Sequence, residues 1–474
     1  MWFWSRSSRN SPSLDSKDFD VIFVLPHMGR GGAQRVTSLV ANAWSRQGKR
    51  ICIVTWDGEK EDAHELDSRI KRIDMPGFTR ETLLGEVSWR RARFSVRSYL
   101  REAERWMRSR WPWRRWMPRK WRIKALSSGQ GGVSRIFPEW RPWWSSRRIR
   151  RFVASIALSL DRPKKKSVLQ PISPFARDSL SRLVLGYRVN IFRELFSVVK
   201  APVIMSLLTK TNLYVIEATR GMDVRIVISE RNDPDLQKID FDLASLRILA
   251  YRDAHTVTSN SLGILGKISA FVPAEKLKLL PNPIVVPSVE DSANERGIRF
   301  VTVARLVHQK GVDLLLSAFA QISDDLDGWS LEIVGDGPLL GLLKTQAETL
   351  GIADRVTFHG YVPEPMSIMQ KCRVFVLPSR FEGMPNALLE AMAGGLAPIV
   401  TDASPGPLES VSHEVSGLVV PTENVGALAD AMRLLAVDDA LTDRLARQAQ
   451  IYVREHDWAA VEPQWLDVLG GRHR

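Results

Sequence analysis

Short apolar runs recur along this chain, and most are followed by a stretch with helical spacing. DVIFVLP at 20–26 reads as a buried strand, and AQRVTSLVANAWSRQG after it as a helix closed by Gly48. RICIVT and SRIKRIDM are the next two strands. The rhythm stops near residue 82 and resumes near 180, with an amphipathic helix over 180–200. Strand PVIMSLL, a helix from Asn212, strand RIVISE, helix FDLASLRILA and strands HTVTSN and KLKLLPNPI follow. VPSVEDSANERG is polar and aperiodic, as a linker is.

The second half restarts the pattern. Its strands are RFVTVAR, SLEIVGD, RVTFHG, CRVFVLPS and LAPIVTD, and helices begin near Gly311, Pro338, Glu364, Pro385, Pro407 and Val425. Apolar strands alternating with helices predict parallel sheets covered on both faces. Two such units in tandem place a cleft at the C-terminal ends of their strands. The expected class is α/β, with two Rossmann-like domains at 19–286 and 297–455. A disordered tail is expected over 1–18, and 456–474 reads as a helix returning to the N-terminal domain, with Trp458 and Trp465 on its apolar side.

Charge changes this picture in one place. The 474 residues carry a net +14, but residues 90–166 hold 24 Lys/Arg against 4 Asp/Glu. That segment is therefore strongly basic, and the remainder of the chain is mildly acidic. Cys52 and Cys372 each sit in a strand-like run, which suits buried thiols in a reducing compartment and no disulfide framework. No apolar run is long enough to span a bilayer, and the N-terminus lacks the apolar core of a signal peptide.

Four loops concentrate chemistry. In PHMGRGGAQRV, Gly29, Gly31 and Gly32 precede a helix, which suits either a tight turn or an anion at the helix N-terminus. In VARLVHQKG, Arg305 and Lys310 stand at the mouth of a predicted strand, where two cations suit a pyrophosphate. In SRFEGMPNALLEAMAGG, Glu382 lies in the loop and Glu390 about one turn into the helix. Gly383, Met384, Pro385 and Asn386 form that helix's N-terminus, and Glu390 in an otherwise apolar helix requires a partner. In VISERNDP, Glu230, Arg231 and Asn232 crowd a strand end facing the cleft, with a Glu230–Arg231 ion pair as the competing arrangement. Asn212 ends another cleft-facing strand, and Asn282 sits in a Pro-bounded turn. The histidines do not cluster, and there is no Walker A or Ser/His/Asp signature.

GRGGAQRV, ISERNDP, LPNPI, VARLVHQKGVDLLLSAF, LEIVGDGPL, LPSRFEGMPNALLEAMAGGLAPIVTD and SGLVVP occur in this order. The set resembles family 4 of the retaining glycosyltransferases, which have the GT-B fold, over residues 19–80 and 180–470. GGAQRV with ISERNDP is similar to members that build bacterial surface polysaccharides and lipid-linked oligosaccharides. The resemblance implies that Arg305 and Lys310 bind the donor diphosphate. It implies that Glu382 lies beside the donor sugar and Glu390 holds the ribose hydroxyls. Residues 383–386 would contact sugar and phosphate through main chain, and Gly31 and Gly32 would lie near the reaction centre. Catalytic residues would thus be Glu382, Arg305 and Lys310. Asn212, Glu230, Arg231 and Asn232 would line the acceptor side. No metal or other cofactor is implied, and a UDP-sugar is favoured as donor. Two departures stand out: Lys210 and Asn212 replace a His that many relatives carry, and Gln34 replaces a frequent Glu.

The segment 82–179 lies outside that resemblance and reads as an insertion in the N-terminal domain. Nine of the sixteen Trp residues fall between Trp89 and Trp144, interleaved with Arg and Lys. Trp favours the membrane interface and the cations favour anionic head groups, so residues 89–151 are expected to bind an anionic membrane surface. A nucleic-acid arm is the less favoured partner for this segment. The expected place is the cytoplasm, peripheral on the inner face of a bacterial cytoplasmic membrane. The competing function is a catalytically inactive GT-B scaffold subunit of a membrane polysaccharide complex.

Overall fold

The structure is a computed structural model, and it describes residues 19–57, 62–75, 181, 184–186, 188–237, 239–286 and 296–470. The tail 1–18, the insertion 82–179 and most of the linker lie outside the described residues. One compact unit comprises residues 1–55, 60–73 and 185–474 and contains two parallel sheets. Nearly all of the other unit, 56–59 and 74–184, lies outside the described residues.

The first sheet holds β1 (Val21–Leu25), β2 (Ile51–Thr55), β3 (Lys71–Asp74), β4 (Val203–Leu207), β5 (Arg225–Glu230), β6 (Thr256–Ser259) and β7 (Leu277–Leu279), in the order β3-β2-β1-β4-β5-β6-β7. The second holds β8 (Arg299–Val303), β9 (Ser330–Val334), β10 (Val356–Gly360), β11 (Val374–Leu377), β12 (Ala397–Thr401) and β13 (Leu418–Val420), in the order β10-β9-β8-β11-β12-β13. Each order reverses once, between β1 and β4 and between β8 and β11. That reversal splays the following loops apart and leaves a crevice at the C-terminal strand ends.

Apolar alternation builds the second domain. Phe300, Ile333, Val374 and Ile399 enter one core cluster, while their neighbours Val301, Val334, Phe375 and Val400 enter the other. Successive strand residues point to opposite faces, so both faces are buried and the strands read as continuous apolar runs.

In the first domain, the helix Gly32–Arg46 packs Val36, Val40 and Trp44 on Phe23 and Ile53. The chain passes from one domain to the other near Ile284 and returns near His456, and Ile284 N donates to His456 O at 3.0 Å. The helix Trp458–Leu469 then buries Val461, Trp465 and Val468 in the same core as Trp44. Trp465 meets Trp44 edge-on at 6.3 Å and donates its indole N–H to Pro281 O at 3.0 Å.

The helix expected from Asn212 starts earlier, at Thr209. Helices Leu262–Ile268 and Asp439–Val453 and the three-residue strand β13 are additions to the sequence-based elements.

Candidate functional site

Both switch points open on the loops singled out in the sequence. In the second domain, the loop after β8 carries Arg305 and Lys310, and the loop after β11 carries residues 379–386. Lys310 Nζ lies 2.5 Å from Glu382 Oε1, which also accepts from Ser379 Oγ at 2.7 Å. Glu382 is buried, and its N–H donates to Ser404 Oγ at 3.0 Å. The carboxylate is therefore held by Lys310 and Ser379 and its backbone by Ser404, with its charge compensated in a partly desolvated place.

Arg380 anchors the same loop by ion pairs to Asp313 at 2.7 Å and to Glu423 at 2.7 Å. Its hydrogen bonds to Asp313 hold its pKa above the usual arginine value. Arg305 is exposed and makes no side-chain hydrogen bond or ion pair among the described residues. The loop thus presents one compensated cation and one available cation, an arrangement that can meet an incoming diphosphate.

Gly383 and Gly406 are fixed by close packing. A Cβ on Gly383 would lie 2.2 Å from Arg231 O, and one on Gly406 would lie 1.7 Å from Gly383 O. Any side chain at either position would displace main chain rather than a flexible tip. The helix Asn386–Ala393 begins immediately after, so the loop runs into a positively polarised helix N-terminus.

The first domain meets this loop directly. Asn386 Nδ2 donates to Gly32 O at 3.0 Å, and Asn282 Nδ2 donates to Met384 O at 3.2 Å and Asn386 Oδ1 at 2.6 Å. Asn282 Oδ1 accepts from Arg231 and from Asn260. Gly31 precedes Gly32 in extended backbone, with Gln34 filling the space beside its Cα. Arg30 stacks 3.7 Å over the Tyr361 ring and pairs with Asp336 at 3.2 Å. Glu390 is buried, and Arg35 Nε lies 2.5 Å from its Oε1.

The structure thus sets Gly32 against Asn386 and Lys310 against Glu382, joins Glu390 to Arg35 of the helix that begins at Gly32, and leaves Arg305 on the loop after β8. Two expected cleft residues are corrected. Asn212 is fully buried: its Oδ1 accepts from Ser206 Oγ at 2.9 Å, and its Nδ2 donates to Ser229 O at 2.9 Å and Tyr251 Oη at 3.1 Å. Glu230 is fully buried too, accepting from Tyr251 Oη at 2.7 Å and Thr209 Oγ1 at 2.9 Å. Both side chains turn inward because hydroxyl and amide partners on neighbouring elements saturate them.

Arg231 is not ion-paired with the Glu230 carboxylate. Its guanidinium is buried on Ser229 Oγ and Asn282 Oδ1, and burial pushes its pKa down to about 10. Its backbone carbonyl is what touches the 383–386 loop. Asn232 is half-buried beside it.

Arg30, Arg35, Ser379 and Ser404 were not legible as site residues. The isolated Glu390 was the one available signal for Arg35, since a buried carboxylate requires a cation or donors. Leu208, with φ of 77°, is a further unforeseen feature at the end of β4; such backbone in a non-glycine residue is strained.

Asn282 ties Arg231, Met384 and Asn386 into one relay. Asn282→Ala strands several buried polar groups, each costing about 1–3 kcal/mol. We expect a fall in the urea midpoint of the purified chain. An unchanged midpoint would show the relay to be energetically idle.

Residues 289–452 match the family described as Glycosyl transferases group 1. A GDP-mannose-dependent alpha-(1-6)-phosphatidylinositol monomannoside mannosyltransferase of Mycobacterium tuberculosis is 36% identical over 224 residues, covering 43% of this chain and 56% of that one. An N-acetylgalactosamine-N,N'-diacetylbacillosaminyl-diphospho-undecaprenol 4-alpha-N-acetylgalactosaminyltransferase of Campylobacter jejuni is 27% identical over 262 residues, covering 53% of this chain and 71% of that one. The chain spans about half the length of the mycobacterial relative, and less of some others. The crystal structure of Anabaena HepE in complex with UDP and glucose superposes with a TM-score of 0.62 at 16% identity, over 96% of this chain and 100% of that one. Residues 289–452 thus resemble the group 1 glycosyl transferases, and the pair of parallel-sheet domains has the GT-B fold.

Proposed function

We propose that the protein transfers a sugar, with retention at the anomeric carbon, from a UDP-sugar to a lipid-linked glycan acceptor in bacterial polysaccharide or glycolipid synthesis. One observation carries this reading: the Lys310–Glu382 pair, with its carboxylate buried, and the available Arg305 stand on the loop pair at the switch point of the second sheet. As the glycosidic bond breaks, negative charge grows on the nucleoside diphosphate. Arg305, Lys310 and the helix N-terminus at residues 383–386 are placed to stabilise it. Glu382 positions the sugar and offsets developing positive charge, and Glu390 accepts from the ribose hydroxyls.

Gly31 and Gly32 let the main chain of the first domain come close to the donor loop, with Gln34 packed beside the one and Asn386 beside the other. The printed names of the mycobacterial and Campylobacter relatives, one a phosphatidylinositol mannosyltransferase and one acting on a diphospho-undecaprenol, support a lipid-linked acceptor. The basic Trp-rich segment 89–151 supports a peripheral place on the inner face of the cytoplasmic membrane. No described helix is long and apolar enough to cross a membrane.

Purified protein incubated with lipid extract and a panel of UDP- and GDP-sugars tests this. The expected product is an acceptor heavier by one glycosyl unit, formed from a UDP-sugar, unaffected by EDTA, with the donor's anomeric configuration by NMR. Transfer from GDP-sugars alone, loss in EDTA, or an inverted product would each refute its part of the proposal.

A further inference from the structure

The Arg35–Glu390 pair joins two domains at a point where neither residue needs the other for its own fold. Arg35 lies in the first turns of the helix Gly32–Arg46, directly after the glycine loop. Glu390 lies midway along Asn386–Ala393, a helix whose other buried residues are Leu388, Leu389, Ala391, Met392 and Ala393. Leu, Ala or Met at position 390 would serve that packing better than a carboxylate.

The geometry of the pair is one-sided. Arg35 Nε stands against Oε1 at 2.5 Å as an ion pair out of hydrogen-bond alignment, and no protein group donates to Oε2 among the described residues. An ionised carboxylate has acceptor capacity on both oxygens, so Oε2 is left for a ligand. The charges around it are few. Glu364 faces it from the segment before Met366–Met369 and opposes its ionisation. Arg296 binds the carbonyls of Gly394 and Gly395 one turn further on. Lys310 is engaged by Glu382. The helix Asp439–Val453 contributes Gln450, which donates to Ala393 O. His64 also feels Arg35, with its pKa pushed down by burial and by that cation. Arg35 is thus the cation in contact with Glu390, while burial pushes the carboxyl pKa up.

We propose that Arg35, supplied by the acceptor-side domain, is a positioning residue of the donor site: it keeps the Glu390 carboxylate charged and turned so that Oε2 accepts from the ribose hydroxyls of a nucleoside diphosphate. This rests on the donor-site reading above. It makes ribose recognition depend on the domain opposite the donor, so donor affinity reports whether the two domains are engaged. Without Arg35 the desolvated carboxyl takes up a proton more readily, turns one acceptor oxygen into a donor hydroxyl, and regains two acceptor oxygens only as pH rises.

The test is calorimetric binding of UDP, 2′-deoxy-UDP and GDP to the full chain across a pH series from mildly acid to mildly alkaline, in which a raised carboxyl pKa is read. The variants are Arg35→Gln, Arg35→Lys, Glu390→Gln and the double variant Arg35→Gln/Glu390→Gln. We expect Arg35→Gln to weaken UDP by about 10-fold or more at the acid end, with recovery toward alkaline pH. Its preference for UDP over 2′-deoxy-UDP should vanish and return in parallel. Arg35→Lys should retain much of the wild-type behaviour. Glu390→Gln and the double variant, which buries no unpaired charge, should bind weakly at every pH with no 2′-hydroxyl preference.

Wild-type-like binding by Arg35→Gln would overturn the inference alone. So would a loss equal at every pH and equal for both nucleotides, which is what a merely structural contact gives. A wild-type chain that binds neither UDP nor GDP would remove the donor site itself, and this inference with it.

Discussion

Lys310→Met is expected to lower kcat/KM for sugar transfer by about 10²–10³-fold, the loss typical of removing one group aimed at developing negative charge. The cation sits 2.5 Å from Glu382, at the end of a short 3₁₀ turn held between β8 and the helix Val312–Ala320. Its removal has a second consequence. Glu382 would be left buried without its cation, and breaking such a pair costs about 3–5 kcal/mol of stability. The two effects separate in the double variant Lys310→Met/Glu382→Gln, which removes both charges. That variant should recover most of the thermal stability and none of the activity. If activity returned with stability, Lys310 would be a structural partner of Glu382 and nothing more.

Trp465→Ala is expected to cost about 3–5 kcal/mol, the range for deleting a fully buried large aromatic side chain. Trp465 is fully buried, packs edge-on against Trp44, and satisfies Pro281 O. Alanine removes the ring and strands that carbonyl one residue before Asn282. The damage should therefore reach the donor loop, through the relay from Asn282 to Met384 and Asn386. Trp465→Phe keeps most of the volume and loses the indole donor, so it should cost less. Urea unfolding followed by far-UV circular dichroism checks the order of the three proteins. An alanine variant as stable as the parent would mean that the C-terminal helix is not part of the N-terminal core.

Both sheets were readable because parallel strands buried on two faces are apolar without interruption, as ICIVT, VFVL and APIVT are. The helix Phe241–Ala250 was delimited by its own apolar pattern. Asp439–Val453 was not, because its inward positions include Thr442 and Ala449, which carry little hydrophobic signal. The strand Leu418–Val420 is simply too short for a period to register.

The site divides along the same line. Arg305, Lys310, Glu382 and Glu390 belong to loops and a helix whose position follows from strand order, so the sequence alone places those segments at the switch point of the second sheet. Asn212 and Glu230 misled because a polar residue at a strand end can turn either way. What turned them inward is a network assembled from Ser206, Thr209, Ser229 and Tyr251, and such partners come together only in three dimensions. Arg35 was missed for the complementary reason: its partner is 355 positions away on the other domain.

On the proposed function, Lys310, Glu382 and Arg305 serve transfer from a nucleotide sugar to an acceptor. The direct measurement is the stoichiometry of two products in one reaction, nucleoside diphosphate released and glycosyl mass gained by the lipid fraction. Equal amounts of both in the wild-type protein, with both lost together in Arg305→Ala and Glu382→Ala, is the predicted result. Neither product from any donor, or products undiminished in the two variants, would contradict it.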